Sequence, residues 1–240
     1  MKNTRRVLLL FLSLALSYGM AQGYEYSDDF STTAGNPNGV WSYGYLANSG
    51  DGPFVAHNHT MPAGTGLALW ETDGDPDSSG NINKAAGAED HPEWGGMSWE
   101  AGMTSMMIPT DPTKWSAVVF TAPQAGQWNV SVDFQNRWMN GNGSNVFVRI
   151  NGTNVLLDQI DGFPGSSLGA PVVAPVSTDG WNAGYDGVAT LNQGDTIMFG
   201  VYKWAEASHQ VAIDASITPV PEPMILSLLA LGGLMLRRKP

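Results

Sequence analysis

Asp73-Gly74-Asp75-Pro76-Asp77 sets three carboxylates at every second position. Alternate side chains of a tight turn converge, and convergent carboxylate oxygens are what a hard cation such as calcium takes as ligands. The rest of an EF-hand loop is absent, since Ser78 stands at position six and Lys84 at position twelve. The spacing predicts either a calcium turn or a solvated acidic loop, with Glu89, Asp90 and Glu93 as further oxygens. His57-x-His59 offers two imidazoles on one strand face, with no third ligand and no H-E-x-x-H. Glu71, Glu93 and Glu100 each adjoin a tryptophan, as sugar-cleaving carboxylates sometimes do. In a chain with 9 Trp such adjacency also arises by chance. There is no cysteine, which removes thiol catalysis, Cys-zinc sites and disulfides. No G-x-S-x-G, P-loop or dinucleotide motif occurs. A non-catalytic protein is expected. The alternative is a secreted glycan-cleaving enzyme, hydrolase or lyase.

The elements that must position these residues are short runs of β-formers between turn signals, with no long helical periodicity. That pattern predicts an all-β sandwich. Strands are expected at 24–30, 40–46, 54–57, 67–71, 114–121, 127–138, 146–150, 154–160, 188–191, 196–202 and 209–217. Segments 73–112 and 161–182 read as long loops. The run Gln127 to Trp138 alternates most clearly. Trp128, Val130, Val132 and Phe134 share one face, and Asn129, Ser131, Asp133 and Gln135 the other, which is the mark of a half-buried strand. Asn140-Gly141 and Asn151-Gly152 read as hairpin turns.

The same parity sends Arg137, Phe147, Arg149, Tyr202 and Trp204 outward. Rings beside polar groups on a sheet face suit a sugar, whose C–H faces stack while its hydroxyls hydrogen-bond. These five residues are therefore the candidate carbohydrate-binding set, and an extracellular polysaccharide is the expected partner.

Both ends differ from the body. Three positive charges, then the apolar run Val7 to Ser17, then Gly19-x-Ala21 make a secretory signal. Cleavage by signal peptidase is expected after Ala21. At the other end, Pro221-Glu222-Pro223 precedes the apolar run Met224 to Leu236 and the basic Arg237-Arg238-Lys239. That run makes only ~20 Å of helix, short of the ~30 Å hydrocarbon core. The domain plan is thus 1–21 signal peptide, 22–219 sandwich and 220–240 tail. In the body, Lys84, Lys114, Arg137, Arg149 and Lys203 face all but one of the 22 Asp and Glu. So acidic a surface excludes nucleic-acid binding by electrostatics.

The tail resembles the PEP-CTERM sorting signal. The resemblance rests on Pro221, Glu222, Pro223, Arg237 and Arg238, and it covers residues 220 to 240. It implies processing by an exosortase-like membrane enzyme, a transient membrane anchor, and then the cell surface or extracellular matrix. The turn order of residues 114–218 resembles carbohydrate-binding modules, galactose-binding-like domains and the jelly-roll modules of PEP-CTERM proteins. It implies an antiparallel jelly-roll β-sandwich that binds polysaccharide or serves the matrix as a structural protein.

Overall fold

The computed structural model describes residues 22–61, 66–75, 77–91, 97–137, 143–160, 182–203 and 210–221. The expected signal peptide and nearly all of the sorting tail lie outside these residues, as do Trp204, the Asn140-Gly141 turn and most of 161–182. Among the described residues no helix is long and apolar enough to cross a membrane.

The first half of the chain supplies strands β1 (Tyr24–Glu25), β2 (Trp41–Leu46), β3 (Phe54–Ala56), β4 (His59–Met61), β5 (Leu67–Glu71), β6 (Ile82–Ala85), β7 (Glu89–His91), β8 (Met97–Trp99) and β9 (Thr104–Met107). The second half supplies β10 (Trp115–Thr121), β11 (Gly126–Asn136), β12 (Ser144–Ile150), β13 (Thr153–Ile160), β14 (Asn182–Leu191), β15 (Thr196–Lys203) and β16 (Gln210–Pro219). A single helical turn, α1 (Tyr26–Asp29), follows β1. One sheet runs β14-β11-β16-β9-β6-β5-β4, with β1 beside β16. The other runs β13-β12-β15-β10-β2-β3. All pairings are antiparallel. From β10 onward the strands alternate between the two sheets except at the β12–β13 hairpin, so the fold is a jelly-roll β-sandwich.

The alternation of Gln127 to Gln135 sets this arrangement. Trp128, Val130, Val132 and Phe134 are all buried in the inter-sheet core. Val118 and Phe120, Val146 and Val148, and Ile197, Phe199 and Val201 meet them from the second sheet. The expected strands of the second half are present, β14 being longer than expected. Asn151 and Gly152 both take positive φ, 49° and 79°, as a tight hairpin turn demands.

Two expectations need correction. Residues 73–112 are not a loop, because they contain β6, β7, β8 and β9. Polar residues in β6 and β9 hid the pattern. Asn83 and Ser105 face away from the core, yet both are buried. They are covered on the outer side by Trp99 and Met103, which pack on Leu67, Ala85 and Ala212. Buried polar groups are tolerated when hydrogen-bonded. Ser105 Oγ donates to Asn83 Oδ1 at 2.6 Å and accepts from Trp99 Nε1 and Gln210 Nε2. Residues 24–30, secondly, are not one strand. The chain turns helically at Tyr26, whose ring enters the core against Trp41 at 5.3 Å.

Candidate functional site

The outer face of the six-stranded sheet is built by the residues that point away from the core. Register places Leu157, Phe147, Gly200, Ala117 and Gly44 in one row across β13, β12, β15, β10 and β2. Tyr202, Trp115, Leu46 and Phe54 stand in the adjoining row. Two glycines make room for rings. A Cβ on Gly200 would collide with the Phe147 ring, and one on Gly44 would lie 2.8 Å from Phe54 Cζ. Phe147 is fully buried, and Trp115, Tyr202 and Phe54 pack against it partly buried.

Trp115 and Tyr202 stack at 3.9 Å between centroids with planes 12° apart. Phe147 tilts against Trp115 at 5.6 Å. The Arg149 guanidinium lies 4.8 Å from the Phe147 centroid and 5.4 Å from that of Trp115, within cation–π range. Arg149 Nε donates to Asn154 Oδ1 and Nη1 to the Gly50 carbonyl, both at 2.7 Å. The guanidinium is therefore fixed by strand β13 and by the 47–53 loop. Gly50 itself, at φ 85°, lets that loop close on Trp115. Burial pushes the Tyr202 phenol above its ordinary pKa, with Arg149 pulling the other way. The outward strand positions of this sheet carry no carboxylate among the described residues, in a chain of formal charge −11.

Of the five expected sugar-site residues, Phe147, Arg149 and Tyr202 come together here, but Phe147 is 0 % exposed, so it supports Trp115 and Tyr202 from below and does not offer a ligand the ring face expected of it. Trp204 lies outside the described residues. Arg137 does not join them. It directly follows β11 of the other sheet, is 0 % exposed, and donates to Gln135 Oε1 at 2.7 Å and Glu100 Oε1 at 3.3 Å. Its parity is outward as expected, but Trp99 and its neighbours cover that end of the sheet. Sequence reading missed Trp115, because the run from Lys114 to Thr121 is apolar on both faces and shows no alternation.

The acidic turn is closed by its own hydrogen bonds. Asp73 Oδ1 accepts from Asn58 Nδ2 at 2.8 Å, and Asp75 Oδ1 from the Ser78 amide at 3.0 Å. The Asp77 carbonyl accepts from the Thr110 amide. No group of three His, Asp or Glu among the described residues gathers as a metal site. His57 and His59 have separate partners, Thr72 Oγ1 and Glu71 Oε1. Glu71 and Glu100 are engaged by His59 and Arg137, and Glu93 lies outside the described residues.

Around β14, β11 and β16 the outer face of the seven-strand path gathers three carboxylates, Asp186, Asp133 and Asp214. Asp133 and Asp214 stand directly opposite each other in the β11–β16 register. Partial burial first, then Asp186 and Asp214, push the Asp133 carboxyl above the usual carboxylate range. Burial and Asp28 do the same to Asp214. A raised carboxylate pKa means that the fold disfavours the ionised form. The burden is present above the raised pKa and relieved as pH falls through it. Asp133→Asn is therefore expected to stabilise the protein at pH 7 by about 0.5 kcal/mol, the scale of one cross-strand pair. The gain shrinks with salt and vanishes only well below the unfolded aspartate pKa, near pH ~3, where both states are protonated. Melting curves of the two proteins across pH check this, and a gain that persisted undiminished at pH ~3 would contradict the charge argument.

No protein-family model matches the chain, and no curated protein matches it. Among solved structures, the chain is similar to a family 35 carbohydrate-binding module from Clostridium thermocellum, at 9% identity and TM-score 0.29, over 75% of this chain and 99% of that one. It is similar to a family 35 module from Paenibacillus barcinonensis at 16% identity and TM-score 0.26, over 68% and 100%. It is also similar to the CBM36-1 domain of a xylanase from the hindgut metagenome of Trinervitermes trinervoides, at 13% identity and TM-score 0.31, over 56% and 87%. Likeness at this level is silent on function.

Proposed function

We propose that the chain is an exported, non-catalytic protein that binds a polysaccharide on the outer face of its six-stranded sheet. The observation that carries this is the part-buried Trp115–Tyr202 stack with Arg149 beside it, packed on the fully buried Phe147, on a face whose described strand positions carry no carboxylate. Each stacked ring covers one face of the other, so a sugar packs against the free flank of the pair. Aromatic contact supplies affinity, and the immobilised Arg149 supplies a donor for hydroxyls or for the carboxylates of an acidic polymer. The pieces are held before ligand arrives, which lowers the ordering cost of binding.

Export and sorting belong to the same proposal. The signal-like start and the Pro221-Glu222-Pro223 tail support delivery across the inner membrane. They also support exosortase-like processing and residence at the cell surface or in the matrix.

Tyr202→Ala tests the site. The ring is partly exposed at the rim of the stack, so its loss leaves the inter-sheet core untouched. Affinity for a bound polysaccharide is expected to fall by about 1–3 kcal/mol, as for a contact ring at a recognition surface, with little change in melting temperature. Affinity electrophoresis against neutral and uronate-containing polysaccharides reads this. The proposal fails if the wild type binds none of them, or if Tyr202→Ala binds as well as the wild type.

A further inference from the structure

Val155 and Leu157 on β13 and Val188 on β14 are the large apolar side chains that stand exposed among the described residues, at 39%, 57% and 59%. Both strands are sheet edges on the same side of the sandwich. Edge strands present unpaired backbone groups, and proteins blunt them by shortness, charge, glycine or cover. β3 and β4 are 3 residues each. β14 carries Asp186, Gly184 and Gly187. β13 has 8 residues, neither Pro nor Lys, and one charge, Asp158. Its protective irregularity is a bulge opposite Val148/Arg149. No backbone hydrogen bond other than its ladder to β12 is made by β13 among the described residues.

We propose that β13 pairs antiparallel with β13 of a second copy of this chain, joining the six-stranded sheets of two protomers across a two-fold axis near Leu156. An isologous contact needs a self-complementary surface, and this strand offers one. Its apolar middle, Val155 to Leu157, meets the same residues of the other copy. Asp158 falls opposite the neutral stretch Thr153–Val155 rather than opposite itself. A cationic partner has little to select here, since the edge is nearly neutral while the acidic residues crowd elsewhere. Two bodies of like charge repel over distance, so salt should strengthen this contact, in contrast to an ion-paired one. The pairing also continues the ligand face, because Leu157 stands in the row of Phe147. Two joined faces would hold one long polymer at two points, with the gain of multivalency. That consequence rests on the polysaccharide reading, whereas the pairing itself does not.

Sedimentation equilibrium of the full chain, without any polysaccharide, tests the pairing separately from the ligand. A reversible dimer is expected, tighter in added salt. Leu157→Lys puts a charge on the exposed edge and should weaken it at least about tenfold, a change of about 1.4 kcal/mol. Val188→Lys, on the other edge, should leave it unchanged, and neither variant should shift the melting temperature measured at concentrations where the wild type is monomeric, since dimerisation itself stabilises the fold by mass action. A wild type that stays monomeric up to about 1 mM, a range that bounds weak complexes, overturns the proposal. So does an association that Leu157→Lys does not weaken. Loss of polysaccharide binding by an intact dimer would instead count against the ligand face.

Discussion

Replacing Arg137 by alanine is expected to destabilise the protein by about 3–5 kcal/mol and to leave polysaccharide affinity of the folded protein unchanged. The guanidinium is fully buried on the outer side of β11, beneath the segment that contributes Trp99 and Glu100. It is the cation of a buried polar layer with Gln135, Gln210, Ser105 and Asn83. Removing it opens a large cavity and takes one partner from Gln135 Oε1, and a buried acceptor that loses its donor costs about 1–3 kcal/mol. The Glu100 carboxylate is 27% exposed and is left less costly by solvent. Arg137→Met keeps most of the volume and loses the hydrogen bonds, so it should fall between wild type and alanine. Urea unfolding midpoints order the three proteins. A loss below about 1 kcal/mol, the ordinary size for a surface substitution, accompanied by weakened ligand binding, would return Arg137 to the binding surface.

The Arg137 case shows where sequence reading stops. Period-two alternation reports which side of a sheet a residue faces, and it did so correctly for Arg137, Phe147, Arg149 and Tyr202. It does not report whether something lies on top. One outer face of this sandwich is open around Tyr202 and Trp115, and the other is roofed at one end by residues 99–103. Nothing in the strand pattern distinguishes them. The roof was illegible for a related reason. Asn83 and Ser105 satisfy each other rather than packing as apolar residues do, so β6 and β9 carry no hydrophobic period. The core was legible because it is made by the opposite kind of residue. Trp128, Val130, Val132 and Phe134 repeat at every second position with polar residues between them, and a one-residue slip would expose all four. Trp115 was missed since Ala117 and Val119 on its own face are buried too, and a strand buried on both faces shows no alternation.

Acid is expected to unfold the protein through His57. The ring is 2% exposed, its Nδ1 is paired with Thr72 Oγ1, and its Nε2 has no partner. Burial lowers its pKa from 6.5 to about 3. The fold thus holds the neutral ring, while the unfolded chain takes up a proton as pH drops below 6.5. The unfolded state binds more protons across the window from 6.5 to about 3, so stability is intact above it and lost as pH falls through it. Each pH unit crossed costs up to about 1.4 kcal/mol, or about 3 kcal/mol by pH ~4. Asp133 and Asp214 work in the other direction, but they are only partly buried and their relief is smaller. His57→Phe removes the titration and the orphaned nitrogen together, and the Tyr45 ring, 6.1 Å from the imidazole, is placed to receive it. Thr72 is not fully buried and can turn to water. Whatever the substitution costs at pH ~7.5, where wild-type His57 is neutral in both states, the variant should recover about 3 kcal/mol relative to wild type by pH ~4. Unfolding free energies of the two proteins at both pH values decide it. Parallel profiles would mean that His57 takes its proton without opening the fold, and that the unpaired Nε2 has a proton acceptor within reach.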